Sequence, residues 1–514
     1  VVRILIGMRG AALANVRHGK FGITSLIVAS LLGLVAAGAT LLLGFTAGGS
    51  AQGGADQLSL VVLTWAAGRV GFAAFSGGDP AIPLDMFRGL PLSPRVLARA
   101  LLVVGLADPA LFFMAIAYGS IFAFGFRHGP IAGAVGIVGA AALLGLVSVL
   151  STIVAAIVPS GSRRRQDAGT LIAAGLISAV IVTGTLAPAL MASIASGHAV
   201  ALSIVLRVLP TGWATDAVAG AASGSPVVAV VLVVALLGLI AVLVAWWPRV
   251  LSERLVSVGG SGHRNGARTH RRILPSTPVG AVASRELRLW IRDPTRAGFL
   301  MIAFVVGIGV CVVPLISAST SVLLPFAGLG TAVIAAAIAG NSYGFDGPAL
   351  GLVLTTPGAE RADVRGRQWA WILLVGPYAV LLSLAGLLVS GELGSWPWVI
   401  GLLPAALGGA TGAFMLVSVL APQPLDDNGG PTPTWTVKAY VTIFATAITT
   451  CPTLACLIVG AATGTAWLSW LGVPVGIATG LVCAIVLGRV AGSRLARRGP
   501  ETFAVLAAAT ANRR

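Results

Sequence analysis

Residues 79–106 read DPAIPLDMFRGLPLSPRVLARALLVVGL, and 263 positions later residues 342–369 read SYGFDGPALGLVLTTPGAERADVRGRQW. In both, an apolar segment of membrane length ends in a polar loop that carries an aspartate. A short amphipathic turn follows, then a step ending in proline: Pro91-Leu92-Ser93-Pro94 in the first copy, Leu354-Thr355-Thr356-Pro357 in the second. Arginines come next, and after them another long apolar run. Residue identity between the copies is low, with Pro94 and Pro357 the clearest match, so the repeat rests on pattern. A repeat of this length implies two similar halves joined end to end.

The flanking composition decides the class. Hydrophobic residues make up 57% of the 514 and charged residues 10%, with a mean hydropathy of +0.97. No water-soluble fold hides that much apolar surface. Several runs exceed the roughly 18 residues needed to cross a hydrocarbon core, and backbone groups in lipid must be satisfied internally, so these runs are read as helices. The spans are placed near 22–45, 58–76, 100–124, 131–158, 170–191 and 226–247, then near 297–317, 322–342, 370–390, 397–420, 437–460 and 467–490. The expected fold is an all-α polytopic membrane protein of about twelve transmembrane helices in two tandem six-helix halves. Residues 1–247 form the first half, 248–275 a Gly-, Ser-, Arg- and His-rich cytoplasmic linker, and 276–514 the second.

The net charge of +17 invites a nucleic-acid reading, which its distribution opposes. Under this topology 31 of the 33 basic residues fall on the side of the termini, leaving Arg127 and Arg207 opposite. The positive-inside rule then puts both termini in the cytoplasm of a cell whose plasma membrane the chain crosses. The charge serves orientation and contact with anionic membrane lipids, and no nucleic acid is needed to explain it.

Each half is expected to open with a helix lying on the membrane surface. Residues 1–20 alternate apolar groups with arginines. In SRELRLWIRDP, Arg285, Arg288 and Arg292 share one helical face, while Ala283, Leu287, Trp290 and Ile291 share the other. Basic on one side and Trp and Leu on the opposite one is what an interfacial helix requires. On the far side, LRVLPTGWATDAVAG places a turn at Pro210, Trp213 at interfacial depth and one short helix after the turn. Asp108, read as two turns into the third span, is the deepest charge. It is either a functional intramembrane carboxylate or the lining of a wet crevice where Pro109 breaks the backbone ladder.

Motifs for catalysis fail. The only lysines, Lys20 and Lys438, are followed by Phe21 and Ala439, so there is no P-loop. No His precedes a Glu, which excludes the H-E-x-x-H zinc motif. Gly340-Asn341-Ser342-Tyr343-Gly344 matches the G-x-S-x-G nucleophile elbow, but a membrane helix stands where the strand should be and no His follows His270. Cys311, Cys451, Cys456 and Cys483 all fall in expected spans with no metal-site spacing, and read as small apolar residues. The apolar run 23–45 is too long for a cleaved signal. The chain is therefore expected not to be an enzyme and to need no cofactor or metal of its own.

The chain resembles the fused twelve-span permeases of actinobacterial ABC exporters, in the type-2 permease class related to antibiotic and polyketide efflux. LDMFRGLPLSPRVLARALL, LPTGWATDAVAGAASG and NSYGFDGPALGLVLTTPGAERADVRGRQWAW carry the resemblance, with RELRLWIRDPTR similar to the surface helix before a membrane half. The resemblance implies export of lipophilic or amphipathic small molecules, energised by two copies of a cytoplasmic ATPase subunit that bind the ATP. It also implies coupling through the loop between the second and third spans of each half, at 84–99 and 347–367. Arg88, Pro91, Pro94 and Arg95 in the first loop would carry that contact, as would Asp346, Pro357, Arg361 and Arg365 in and beside the second. The competing reading is a twelve-span secondary transporter driven by protons or ions. Asp363-Val364-Arg365-Gly366-Arg367 partly matches the loop signature of that class.

Overall fold

A computed structural model describes residues 2–17, 22–48, 50–76, 84–87, 93–106, 108–157, 163–256, 274–317, 321–423 and 433–511. Among these the chain is helical, with no strand. Among the described residues twelve helices are long and apolar enough to cross a membrane, from Ile27–Thr46 to Ala466–Ala507. Each overlaps one of the expected spans. Their outward faces are apolar: Val227, Val230, Val231 and Val234 along one helix are all well exposed, which suits hydrocarbon and would be an aggregating surface in water. The protein is an all-α polytopic membrane protein.

The chain divides into two compact units, one built on Val1–Gly262 and the other on His263–Pro314, Thr320–Asp427 and Pro431–Arg514. The first contains α1 (Val2–Arg17), α2 (Gly22–Thr46), α3 (Ala51–Ser76), a tight turn at Leu84–Phe87, α4 (Pro94–Leu106), α5 (Pro109–Arg127), α6 (Pro130–Ile157), α7 (Arg163–Ala195), α8 (Val200–Val208), α9 (Trp213–Ala222) and α10 (Pro226–Val256). The second contains α11 (Pro278–Arg292), α12 (Pro294–Ser317), α13 (Ala327–Ala339), α14 (Ser342–Asp346), α15 (Leu350–Leu354), α16 (Ala359–Ser390), α17 (Trp396–Leu420), α18 (Pro433–Thr463) and α19 (Ala466–Ala511). Six of the candidate spans fall in each unit.

Proline sets many of the boundaries. Helices α4, α5, α6, α10, α11, α12 and α18 all begin on one, where the missing N–H belongs to an unpaired turn and the ring presets φ. Pro109 explains a departure from the expected third span. The stretch near 100–124 is two helices, and Asp108 is the N-cap of the second, its carboxylate accepting from the Ala110 N–H at 2.9 Å.

The first unit packs around Leu58, Val62, Met114, Tyr118, Ile121, Phe124 and Leu143, with Ala214 and Val218 of the short helix α9 reaching the same core. A second apolar cluster joins Leu5 of α1, Phe87, Leu97, Ala98 and Val104 of the repeated stretch, and Trp247 and Leu251 of α10. The linker is expected to begin at residue 248, but the helix runs on past that point. Trp247, Leu251 and Leu255 recur every fourth residue and face the cluster, so α10 continues through Pro248 to Val256. The Trp247 indole N–H also donates to the Ala98 carbonyl at 3.1 Å. Residues 257–273 of the linker lie outside the described residues.

In the second unit α17 and α19 approach backbone to backbone. A Cβ added at Gly476 would stand 2.0 Å from the Gly401 carbonyl oxygen, and one at Gly480 would stand 2.3 Å from that of Pro404. Without a hydrophobic driving force between helices in lipid, such small-residue seams let dispersion and close packing hold spans together.

Candidate functional site

The surface helix α11 begins with Thr277, whose hydroxyl accepts from the Gly280 N–H at 3.1 Å. It buries Gly280, Ala283, Glu286 and Trp290. The expected apolar face was Ala283, Leu287, Trp290 and Ile291. Ile291 is instead exposed, and the buried stripe includes a glutamate. A buried carboxylate is costly unless paired, and Glu286 is paired. Its Oε2 accepts from Arg296 Nη1 at 3.2 Å, and its Oε1 faces Arg367 Nη1 at 3.2 Å.

Those two arginines extend the contact into a cluster. Arg296 lies near the start of α12 and donates through Nη2 to Asp346 Oδ1 at 2.7 Å. Arg367, one turn beyond Asp363 on α16, donates through Nε to Asp363 Oδ2 at 2.8 Å and through Nη2 to Asp346 Oδ2. Arg285 adds a third guanidinium to Asp346 at 3.1 Å from the more open side. Tyr343 donates its hydroxyl to Asp363 at 2.8 Å, while its ring lies 4.5 Å below the Arg367 guanidinium. Three carboxylates, Glu286, Asp346 and Asp363, thus face three arginines, and all but Arg285 are buried.

Local backbone sets this geometry. Asp346 ends α14, and Gly347 after it takes φ of +52°, a left-handed conformation that glycine adopts without strain and that turns the chain toward α15. The segment before it is fixed to the end of α17. Asn341 donates to and accepts from the Gln423 backbone at 3.0 Å each, and the Tyr343 N–H donates to Ser418 Oγ at 2.9 Å. Ser342, the serine of the elbow-like motif, is buried and donates to the Ala339 carbonyl at 2.6 Å. At Gly366 the bare α-carbon lets α11 close on α16, since a Cβ there would come 2.5 Å from the Val282 Cβ.

The electrostatics follow from burial and pairing. Burial pushes the Asp346 carboxyl up, but Arg367, Arg296 and Arg285 together outweigh it and hold Asp346 well below the ordinary aspartate range. Glu286 moves the other way: burial raises it more than Arg367 and Arg296 lower it, with Asp346 adding to the rise. Burial, reinforced by Asp363, keeps the Tyr343 hydroxyl protonated and therefore a donor. The arrangement is a directional fastening. It ties the surface helix, the turn at Asp346, and the starts of α12 and α16 into one body.

Of the residues picked out by sequence, Arg285 and Asp346 belong to this cluster. Trp290 packs beside it, edge-on to Phe345 with ring centroids 6.0 Å apart. Arg288 is exposed and donates to the Ser284 carbonyl, and Arg292 is exposed at the end of α11. Pro357 lies in the turn before α16. Arg361 and Arg365 sit on the opposite side of α16 from Asp363 and Arg367. Pro94 opens α4 with Arg95 exposed after it, whereas Arg88, Pro91 and the acidic stretch at 426–427 lie outside the described residues. Glu286, Arg296, Asp363 and Arg367 were missed as a set. The available signals were a glutamate in the apolar stripe of α11 and an Asp-Arg pair four residues apart at the head of a span.

In the first unit Asp108 pairs with Arg69 of α3 at 2.7 Å. The two arginines left on the far side by the charge count are both engaged. Arg127 donates to the Ala47 carbonyl at 2.9 Å, and Arg207 grips Asp56 through two bonds of 2.9 and 2.6 Å. Pro210 lies in the turn between α8 and α9, and Trp213 opens α9, half-buried against the first core. Asp216 on α9 accepts from Gln52 at 2.9 Å. Its carboxyl is pushed up to about 6, chiefly by burial, with the Gln52 hydrogen bond and Arg207 opposing and Asp56 reinforcing.

No protein-family model matches the sequence, and neither a curated protein nor a solved structure is significantly similar to it.

Proposed function

We propose that the chain is the membrane permease of an ATP-driven exporter of lipophilic or amphipathic small molecules, working with separate ATPase subunits on the cytoplasmic side of a bacterial plasma membrane. The observation that carries this reading is the ionic cluster. The segment between the second and third spans of the second unit, through Asp346, is fastened to the surface helix by Arg285 and to two spans by Arg296 and Arg367. A push on that segment by a partner would be delivered to α11, α12 and α16 together. An unfastened loop would absorb it. The resemblance of the repeated stretches to ABC exporter permeases supports the same assignment.

The test is purification from native membranes. The expected result is a co-purifying subunit with a P-loop, identified by mass spectrometry, and no ATP hydrolysis by the permease alone. Asp346→Asn should uncouple the pair, leaving ATPase association near normal while export falls.

A secondary transporter is the second reading, favoured by one observation: Asp363 and Arg367 of the partial loop signature do meet as an ion pair. Transport by the isolated chain in liposomes under a proton gradient, without nucleotide, would replace the first reading with this one.

A further inference from the structure

Arg361 and Arg365 line a groove of about 720 Å³ between α16, α17 and α19. The two long helices run antiparallel along it, because Gly492 of α19 lies against Arg361 and Gly488 against Gln368. One end therefore gathers Arg361, Arg365 and Arg489 with Ser493, and the other is walled by Trp369, Ile372, Leu481 and Ile485. Gln368 makes the floor, donating to the Ala484 carbonyl at 3.0 Å, so its amide is already engaged. Among the described residues no carboxylate lies within ion-pair distance of the three arginines.

The groove has the polarity of an amphiphile. Arg489 and Leu481 are eight residues apart, roughly 12 Å along a helix, so a charged head and an apolar tail fit end to end. It also opens sideways: Trp369, Leu481 and Ile485 are each about half exposed on flanks that belong to candidate spans. A ligand dissolved in the bilayer can enter laterally. Three cations with no carboxylate beside them among the described residues select against a zwitterionic head, which brings its own cation. A free anion would leave the apolar walls empty. We propose that this groove is a binding site for an acidic phospholipid, its phosphate held by Arg361, Arg365 and Arg489 and an acyl chain lying along Trp369, Leu481 and Ile485. The assignment is independent of the energy source of transport, and it gives Arg361 and Arg365 to the lipid in place of the ATPase contact that the resemblance implies.

The full chain, purified in detergent, is exchanged into mixed micelles containing phosphatidylglycerol or phosphatidylcholine, and retained lipid is counted by native mass spectrometry. Wild type is expected to retain phosphatidylglycerol and release phosphatidylcholine. Arg365→Gln/Arg489→Gln should weaken retention roughly thirtyfold, from about fivefold per arginine at an acidic lipid surface. Arg365→Lys/Arg489→Lys, which keeps the charges, should retain most of it, as should the off-groove control Arg249→Gln/Arg288→Gln. Ile485→Trp, which fills the tail channel, should also release the lipid. Equal retention of the two lipids, or equal loss in groove and control variants, overturns the proposal. So does retention unaffected by Ile485→Trp but competed by inorganic phosphate, which would make this a free-anion site. Arginines protected by a bound ATPase subunit and indifferent to lipid would make the groove a protein contact instead.

Discussion

Arg367 is the residue on which the second unit most depends. It contacts all three carboxylates of the cluster and is itself buried. Removing one partner from a buried ion pair strands the other charge, which costs about 3–5 kcal/mol. Arg367→Met is therefore expected to lower the thermal midpoint sharply, whereas exposed Arg361→Met on the same helix should stay within about 0.5 kcal/mol of wild type; fluorescence-detected unfolding in detergent distinguishes the two. A second prediction concerns pH. Asp216 titrates near 6 when folded, above the ~3.9 of an unfolded aspartate. The fold thus favours its neutral form: that contribution is whole below about pH 4 and is lost as pH rises through about 6. Asp346, held low by its arginines, has the opposite sign, and its contribution is lost only as pH falls below about 4. Asp216→Asn keeps an acceptor for Gln52 and cannot ionise. The stability difference between wild type and this variant should open between about pH 4 and 7; a difference independent of pH would refute the assignment.

Among elements, the surface helix α11 shows what sequence could and could not convey. Its amphipathic character was legible from the spacing of Arg285, Arg288 and Arg292 against Ala283 and Trp290. Its buried face lies one position from the expected one, because a glutamate ordinarily belongs to the wet side and the partners that bury Glu286 lie 10 to 81 residues downstream. The twelve spans were legible for the converse reason, since length and apolarity are local quantities. The break at Asp108-Pro109 was half legible, the proline visible and the capping role of the aspartate not. Contact between α11 and α16 depends on Gly366. Gly366→Val would press a side chain into Val282 and the Val279 carbonyl, overpacking of the kind that costs about 1–3 kcal/mol. Limited proteolysis should then cut within 278–292 while α16 stays protected. An unchanged digestion pattern would mean that the helices are held by the ionic cluster alone.

For the whole molecule, sidedness is the property to measure. Ser225 and Ser276 are exposed, and in a background without Cys311, Cys451, Cys456 and Cys483 a cysteine at each should react from opposite faces of the membrane. Reaction of both from one face would mean an odd number of crossings between them is wrong. Global features of this kind are readable because they repeat along the sequence, whereas the cluster is not repeated. Both halves keep the order of spans and the position of Pro94 and Pro357, but the residues beneath the surface helix have changed character. The first unit has Ala100 and Val104 where the second, 263 positions on, has Asp363 and Arg367.

That difference gives the two units different kinds of contact beneath their first helices. Grease and key are the apt words. Around Leu5, Leu97, Ala98 and Trp247 the first unit is held mainly by apolar burial, which is non-directional, with the Trp247 indole bonded to the Ala98 carbonyl. Around Arg367 the second has a key in a slot, because each guanidinium bond is lost when the helix slips by a fraction of a turn. Backbone amides of α1 should accordingly exchange with deuterium before those of α11.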